Sequence, residues 1–223
     1  DAFVPTEMSA AIGEMRSVID DWVELRLAEP GADLLSQLPT IADADDGRLS
    51  RTELQSMIAI LMIAGHETTS GLLGNAIVAL AGRPDLWERL ADDREVVGRA
   101  VEELIRFDSP VQNTDRLAIE DLEIGGSRVK AGQMMMLCIG GANRDPEQFD
   151  RPNVLDFDRA NNRSLSFGHG IHHCLGAALA RQEARIVLPK VCRAFRDHRV
   201  DLDRVEWKRS MTLRGPIAVP MTR

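Results

Sequence analysis

The sequence predicts a mainly α-helical protein carrying small β-sheets, and three observations predict it. Apolar residues recur at three- and four-residue steps, one such stretch runs for about 30 residues without a proline, and the β-compatible runs are short and bounded by glycine turns. From Ser9 to about Ala28, Ile12, Met15, Ile19, Trp22, Val23 and Leu25 share one helix face, and Pro30 and Gly31 end it. A short helical piece at 33–38 gives way to a polar loop at 42–47, and Ser50-Arg51-Thr52-Glu53 then forms a capping box. The helix it starts, about 50–81, stops at Gly82 with Pro84 beyond. At 1.5 Å per residue it is ~45 Å long and crosses the domain. Its first half is apolar on all sides, which predicts burial, yet Ala64-Gly65-His66-Glu67-Thr68-Thr69-Ser70 interrupts it with polar groups.

Two further helices follow, at about 84–92 and 95–107, the second closed by Asp108-Ser109-Pro110. Strands are expected within 116–140, at Leu122 to Ile124 and Met134 to Ile139, with turns at Gly125-Gly126 and 130–132. Residues 145–162 are rich in Asp, Asn, Pro and Arg and lack periodicity, a long irregular segment of the kind that serves a function. A helix runs from about 175 to 195, and the tail alternates β-like pieces, Thr212-Leu213 and Ile217 to Val219, with turns. Neither an internal repeat nor a flexible linker divides residues 1–223, so they are read as part of a single domain.

Composition narrows the function classes. The 223 residues are 44% apolar and 28% charged, which suits a folded soluble chain. A net charge of -8 argues against nucleic acid as the main partner. The longest unbroken apolar run, Met57 to Ala64, is far shorter than the ~18 residues of a membrane span, so no membrane segment is expected. Three cysteines, an odd number, fit a reducing compartment and a cytoplasmic location. Asp1 to Glu7 show no secretory signal, and the start reads as a chain entered partway through a domain.

The strongest chemical signal is Phe167-Gly168-His169-Gly170-Ile171-His172-His173-Cys174-Leu175-Gly176, a glycine-bearing loop that ends in a cysteine at the mouth of a helix. The positive end of the helix and close backbone N–H groups both favour a thiolate there. Gly176 leaves room for a flat macrocycle, and Phe167 could shield the sulfur from water. Two other readings stand beside this one: a buried structural cysteine, and a zinc cluster of His169, His172, His173 and Cys174, for which four ligands within six residues are badly spaced. Glu103 and Arg106, three apart, share a helix face and suit a charged pair, which on a surface would be worth only ~0.5 kcal/mol. Thr68 either serves chemistry or back-bonds to the carbonyl four residues earlier.

At these residues the chain resembles the cytochrome P-450 family, whose pattern Phe-x-x-Gly-x-x-x-Cys-x-Gly runs here from Phe167 to Gly176. Ala64-Gly65-His66-Glu67-Thr68 resembles the family's distal-helix motif, Glu103-Leu104-Ile105-Arg106 its Glu-x-x-Arg pair, and Ala142-Asn143-Arg144-Asp145-Pro146 the segment before its irregular loop. The resemblance covers nearly all of the chain but only the C-terminal, haem-binding part of a family member.

The resemblance implies a haem b held by Cys174, with Phe167, Gly168 and Gly176 around the sulfur, Arg116 and His172 on the propionates, and Ala64 and Gly65 on the distal side. It implies that Thr68 and Glu67 supply protons to dioxygen, with a local widening of the helix at Gly65, and that the axial thiolate donates electron density to iron. Ile60, Ile63, Gln112, Asn113 and Met211 to Leu213 would contact a small apolar organic substrate. Glu103 and Arg106 would be buried and tie their helix to the irregular loop. The position read there as a third, basic member holds Val154, so the network is either partial or completed by another residue. Electrons would come from NAD(P)H through a ferredoxin reductase and a ferredoxin, with Arg163 and Arg181 as candidate contacts, and the complete protein would be a monomer. The activity implied is monooxygenation, with a non-catalytic haem-binding sensor and a peroxide-dependent peroxygenase as alternatives.

Overall fold

The computed structural model describes the backbone of residues 6–42 and 50–223. Of the expected polar loop at 42–47, residues 43–47 lie outside the described residues, as do residues 1–5 of the expected leaderless start. The helices are α1 (Thr6–Ala28), α2 (Leu34–Ala42), α3 (Arg51–Ala81), α4 (Pro84–Asp92), α5 (Val97–Phe107), α6 (Ile139–Ala142) and α7 (Ala177–Ala194). The strands are β1 (Asn113–Leu117), β2 (Leu122–Ile124), β3 (Ser127–Val129), β4 (Met134–Cys138), β5 (Arg199–Val200), β6 (Glu206–Trp207), β7 (Pro216–Ala218) and β8 (Met221–Thr222). They pair antiparallel in four two-stranded ribbons, β1 with β4, β2 with β3, β5 with β8 and β6 with β7.

The chain forms two compact units, Asp1–His66 and Glu67–Arg223, whose boundary falls inside the continuous helix α3. In the first unit, Asp33 starts α2 by accepting the Ser36 N–H at 2.8 Å. The α3 capping box is reciprocal: the Ser50 N–H donates to the Glu53 carboxylate at 2.7 Å, and the Glu53 N–H donates to Ser50 Oγ at 3.3 Å. The unit's core is Ile19, Val23, Leu54 and Ile58.

Burial of the first half of α3 is corrected. Only Leu54 and Ile58 are buried there, whereas Ile60, Met62 and Ile63 are 60%, 42% and 54% exposed. Among the described elements, α1 and α2 cover one side of this half-helix and leave its other apolar side open. The apolar face of α1 is likewise only partly used, with Ile12, Trp22 and Leu25 exposed. By length and composition alone, α3 could cross a bilayer, a property that soluble core helices share, so the unbroken-run argument understated its apolarity. The chain also runs α-helical straight through Gly65, without the expected widening, since glycine accepts regular helical dihedrals.

The second unit is built around Leu72, Ala76 and Leu80 of α3, Leu86, Trp87 and Leu90 of α4, Val101, Leu104 and Ile105 of α5, and Ala184, Leu188 and Cys192 of α7. Each large aliphatic side chain buried this fully contributes roughly 1.5–3 kcal/mol. The Trp87 indole N–H donates to the Cys192 carbonyl at 2.9 Å, which locks α4 to α7 through an otherwise apolar contact. Helix α5 starts at Val97 rather than near 95, because Asp93 takes the Glu95 N–H at 2.9 Å and turns the chain first.

Candidate functional site

Helix α5 supplies the anchor. Glu103 and Arg106 are each 1% exposed, and Arg106 meets the carboxylate with two donors, Nε and Nη2, both at 2.8 Å. The pair is therefore buried and bidentate rather than a solvated surface contact. The remaining Arg106 donor, Nη1, reaches the carbonyls of Asn143 at 2.8 Å and Pro152 at 3.0 Å. Glu103 also accepts the Asp156 N–H at 3.0 Å, Asn162 Nδ2 at 3.2 Å and Arg159 Nε at 3.0 Å. One ion pair thus holds an irregular segment that has no ladder of its own.

The third member of this network, the basic one, is Arg159. Its side chain is 8% exposed, and it also donates to the Val154 carbonyl at 2.9 Å. Val154 therefore contributes backbone only, while its side chain is exposed. Sequence reasoning missed Arg159 because the segment lacks periodicity. The available signal was the buried Phe157 two residues earlier, which turns that part of the loop inward.

The same geometry carries on to the cysteine loop. Asn143 is fully buried, donates to Ser166 Oγ at 2.8 Å and accepts the Leu165 N–H at 2.7 Å. Ser166 donates to the Ile105 carbonyl of α5 at 2.9 Å. Arg144 donates through Nε to the Phe107 carbonyl at 3.1 Å and lies over the Phe107 ring, 4.2 Å from its centroid. Burial pulls the Arg144 guanidinium below its ordinary pKa, and burial raises the Asp108 carboxyl against the pull of Arg214.

Within the loop, the Gly168 N–H donates to the Leu165 carbonyl at 2.8 Å, and the Cys174 N–H donates to the Phe167 carbonyl at 2.8 Å. Gly168 and Gly170 take φ of 69° and 70°, which glycine adopts without strain. Cys174 is exposed and unpaired with any cysteine, so the structural reading of a buried thiol is not met there; Cys192 is the buried one. Helix α7 begins at Ala177 with Gly176 as its N-cap, so the sulfur-bearing residue stands two positions ahead of the cap. Among the described residues, no three His, Cys, Asp or Glu side chains converge on a common metal position, so the zinc reading gains nothing.

The loop suits a haem. A Cβ on Gly176 would meet nothing within 4 Å, Ile171 is 98% exposed and Leu175 81% exposed, and an apolar macrocycle is the kind of group that would cover such side chains. A single exposed thiol is the donor that a haem-thiolate centre takes, and His172 stands exposed beside it.

Some expected residues meet and others do not. Val111 bridges to Leu213, the Gln112 N–H donates to the Thr212 carbonyl at 2.8 Å, and Asn113 Nδ2 donates to the Met211 carbonyl at 2.8 Å. The two candidate substrate segments are thus one surface, although the Gln112 amide is turned back onto the Ser109 carbonyl at 2.6 Å. Arg116, half-buried on β1, donates to Thr114 Oγ1 at 3.2 Å and the Asp115 carbonyl at 2.8 Å, not to His172. Ala64, Gly65, Glu67 and Thr68 lie on α3 after Ile60 and Ile63, and Glu67 pairs with Lys208. Arg163 is exposed, whereas Arg181 is committed: its Nε meets Glu102 at 2.7 Å and its guanidinium lies 4.3 Å from the Phe167 ring centroid.

Comparison with known proteins shows which chains this one resembles. Residues 24–215 match the sequence profile described as Cytochrome P450. The chain is 40% identical over 222 residues to vitamin D(3) 25-hydroxylase of Pseudonocardia autotrophica, covering 97% of this chain and 54% of that protein. It is 39% identical over 213 residues to 6-deoxyerythronolide B hydroxylase of Saccharopolyspora erythraea, covering 95% and 53%. The solved tirandamycin C-bound monooxygenase TamI superposes with a TM-score of 0.91 at 40% identity, over 97% of this chain and 56% of that one. The chain therefore spans about half the length of the relatives it matches.

Proposed function

The chain belongs to the cytochrome P450 family, and on that premise we propose that it carries the haem-binding part of a monooxygenase with Cys174 as the iron ligand. The observation that carries this reading is the loop geometry: an exposed thiol, its N–H tied to the Phe167 carbonyl, beside a glycine with open space where a side chain would stand. When bound, haem supplies the iron at which dioxygen is activated so that one oxygen atom enters an organic substrate.

The chain's own residues then have distinct tasks. Cys174 would hold the iron through its sulfur, and Phe167 would help shield that bond from water once the haem is in place. Arg116 and His172 would bind the propionates, for which Arg116 must exchange its present partners Thr114 and Asp115. Gly168 and Gly176 let the macrocycle approach the loop, as Ala64 and Gly65 do from α3. Thr68 and Glu67 relay protons on the distal side. Ile60, Ile63, Gln112, Asn113 and Leu213 frame an apolar substrate, and the joining of 111–113 to 211–213 supports a shared surface for the last three. NAD(P)H, ferredoxin reductase and ferredoxin supply electrons, with Arg163 a freer contact for an acidic donor than Arg181. The setting is the cytoplasm, and the complete protein acts as a monomer.

The test is carbon monoxide added to the reduced, haem-loaded protein. A strongly red-shifted Soret band is expected from wild type and not from Cys174→Ala; the same band in the variant removes Cys174 as the ligand.

A further inference from the structure

The turn-forming segment around β6 and β7 rests on α3 through backbone contact. A Cβ on Gly215 would stand 2.9 Å from the Gly71 Cα, and a Cβ on Gly74 would stand 2.5 Å from Pro216. Asn75, fully buried on α3, donates through Nδ2 to the carbonyls of Arg214 and Asp108, both at 3.1 Å. Arg214 in turn meets Asp108 at 2.8 Å and lies over the Trp207 ring, 4.0 Å from its centroid. The Gly215–Gly71 contact, with no side chain between the backbones, and the Pro216 ring seated on Gly74 leave little room for sliding.

This docking fixes where Lys208 starts. Its N–H donates to the Gly215 carbonyl at 3.0 Å, directly across from the glycine seated on Gly71. One helical turn before Gly71 stands Glu67, and the Lys208 ammonium pairs with its carboxylate. An exposed lysine on a free stem would gain little from such a pair, since side-chain entropy opposes it. Here the base of the stem is held by the strand pair, and the lysine side chain is 26% exposed. Sequence reading treats Glu67 as a carboxylate turned toward oxygen and does not register Lys208 at all.

We propose that Lys208 is a positioning residue for Glu67: it sets the direction of the carboxylate, and with it the readiness of the proton relay that Glu67 forms with Thr68. The role rests on the haem-thiolate reading above. The turn between Lys208 and Arg214 also carries Met211 and Leu213, so the surface assigned to substrate and the residue that holds the acid belong to one short stretch of chain.

Two measurements test this. Treating the protein with a zero-length carbodiimide should join Glu67 to Lys208 through an amide, detected by peptide mass spectrometry; failure to recover that linked peptide overturns the pairing. In the haem-loaded protein, Lys208→Met should keep the thiolate-type carbon monoxide spectrum, shift the infrared band of bound carbon monoxide, which senses charge on the α3 side, and lower product formed per NADPH severalfold. Lys208→Arg should restore both. A Lys208→Met protein unchanged in band position and coupling overturns the role alone, whereas a wild-type protein without the thiolate spectrum overturns the haem reading and this role with it.

Discussion

Arg159 donates through Nε to both carboxylate oxygens of Glu103, at 3.1 and 3.0 Å, and so completes a buried network that Arg106 begins. Removing a donor from a buried carboxylate leaves acceptor oxygens and charge uncompensated. We predict that Arg159→Ala lowers the unfolding free energy by about 2–4 kcal/mol. Arg159→Lys should recover little, because one ammonium cannot serve Glu103 and the Val154 carbonyl in the same plane. Urea unfolding of the two variants beside wild type measures this; an Arg159→Ala midpoint equal to wild type would show the contact to be idle.

Gly168 and Gly170 share a left-handed backbone but not a neighbourhood. A Cβ on Gly168 would meet the His172 carbonyl oxygen at 3.2 Å, while one on Gly170 would meet nothing within 4 Å. Gly170→Ala should therefore cost only the backbone strain, about 1 kcal/mol. Gly168→Ala should cost more and loosen haem retention as well. Haem transfer to a scavenger globin gives the comparison, and equal transfer rates for the two variants would contradict it.

Burial pushes the Cys192 thiol up to about 12, whereas Cys138 and Cys174 are exposed. Iodoacetamide at mildly alkaline pH should modify Cys138 and Cys174 in the haem-free protein and reach Cys192 only after unfolding. The sign for stability follows from the raised value. The neutral thiol is favoured in the folded chain, so its contribution is whole below the ordinary thiol pKa near 8.5 and is lost as the pH climbs towards the folded value. Cys192→Ala, despite a lower stability at neutral pH, should thus lose less between about pH 9 and pH 11 than wild type loses.

On the proposed reading, Thr68→Ala should leave the thiolate-type spectrum of the haem-loaded protein intact and divert reducing equivalents into peroxide, because the hydroxyl proposed to relay protons is gone while the proposed ligand is untouched. Peroxide yield and product per NADPH, measured together, decide the matter; unchanged coupling would return Thr68 to an ordinary helix position.

Much of the helical frame was legible because caps and breakers are local. The capping box at Ser50 and the Gly82 to Pro84 stop bound α3 to within a residue of its observed ends. The irregular segment between α6 and α7 was legible only as irregular, since which of Arg151, Arg159 and Arg163 turns inward is settled by Glu103 and not by spacing. The burial of α3 was misjudged for a related reason: periodicity reports which side chains are apolar, and not whether a described element lies over Ile60 or Ile63. Lys208 carried no local signal at all, because its partner is 141 residues away in the chain.

Glu103 accepts from four residues, Arg106 on its own helix and Asp156, Arg159 and Asn162 of the irregular segment. Residues 143–166 have scarcely any repeating hydrogen-bond pattern to give them shape, so they take it from side chains, with the Glu103 carboxylate on α5 as the group that gathers most of them. Arg106, Asn143 and Ser166 extend the connection from α5 through the coil to the segment just before the cysteine loop. On the proposed reading, damage to that carboxylate would reach the haem pocket without altering any residue assigned to it.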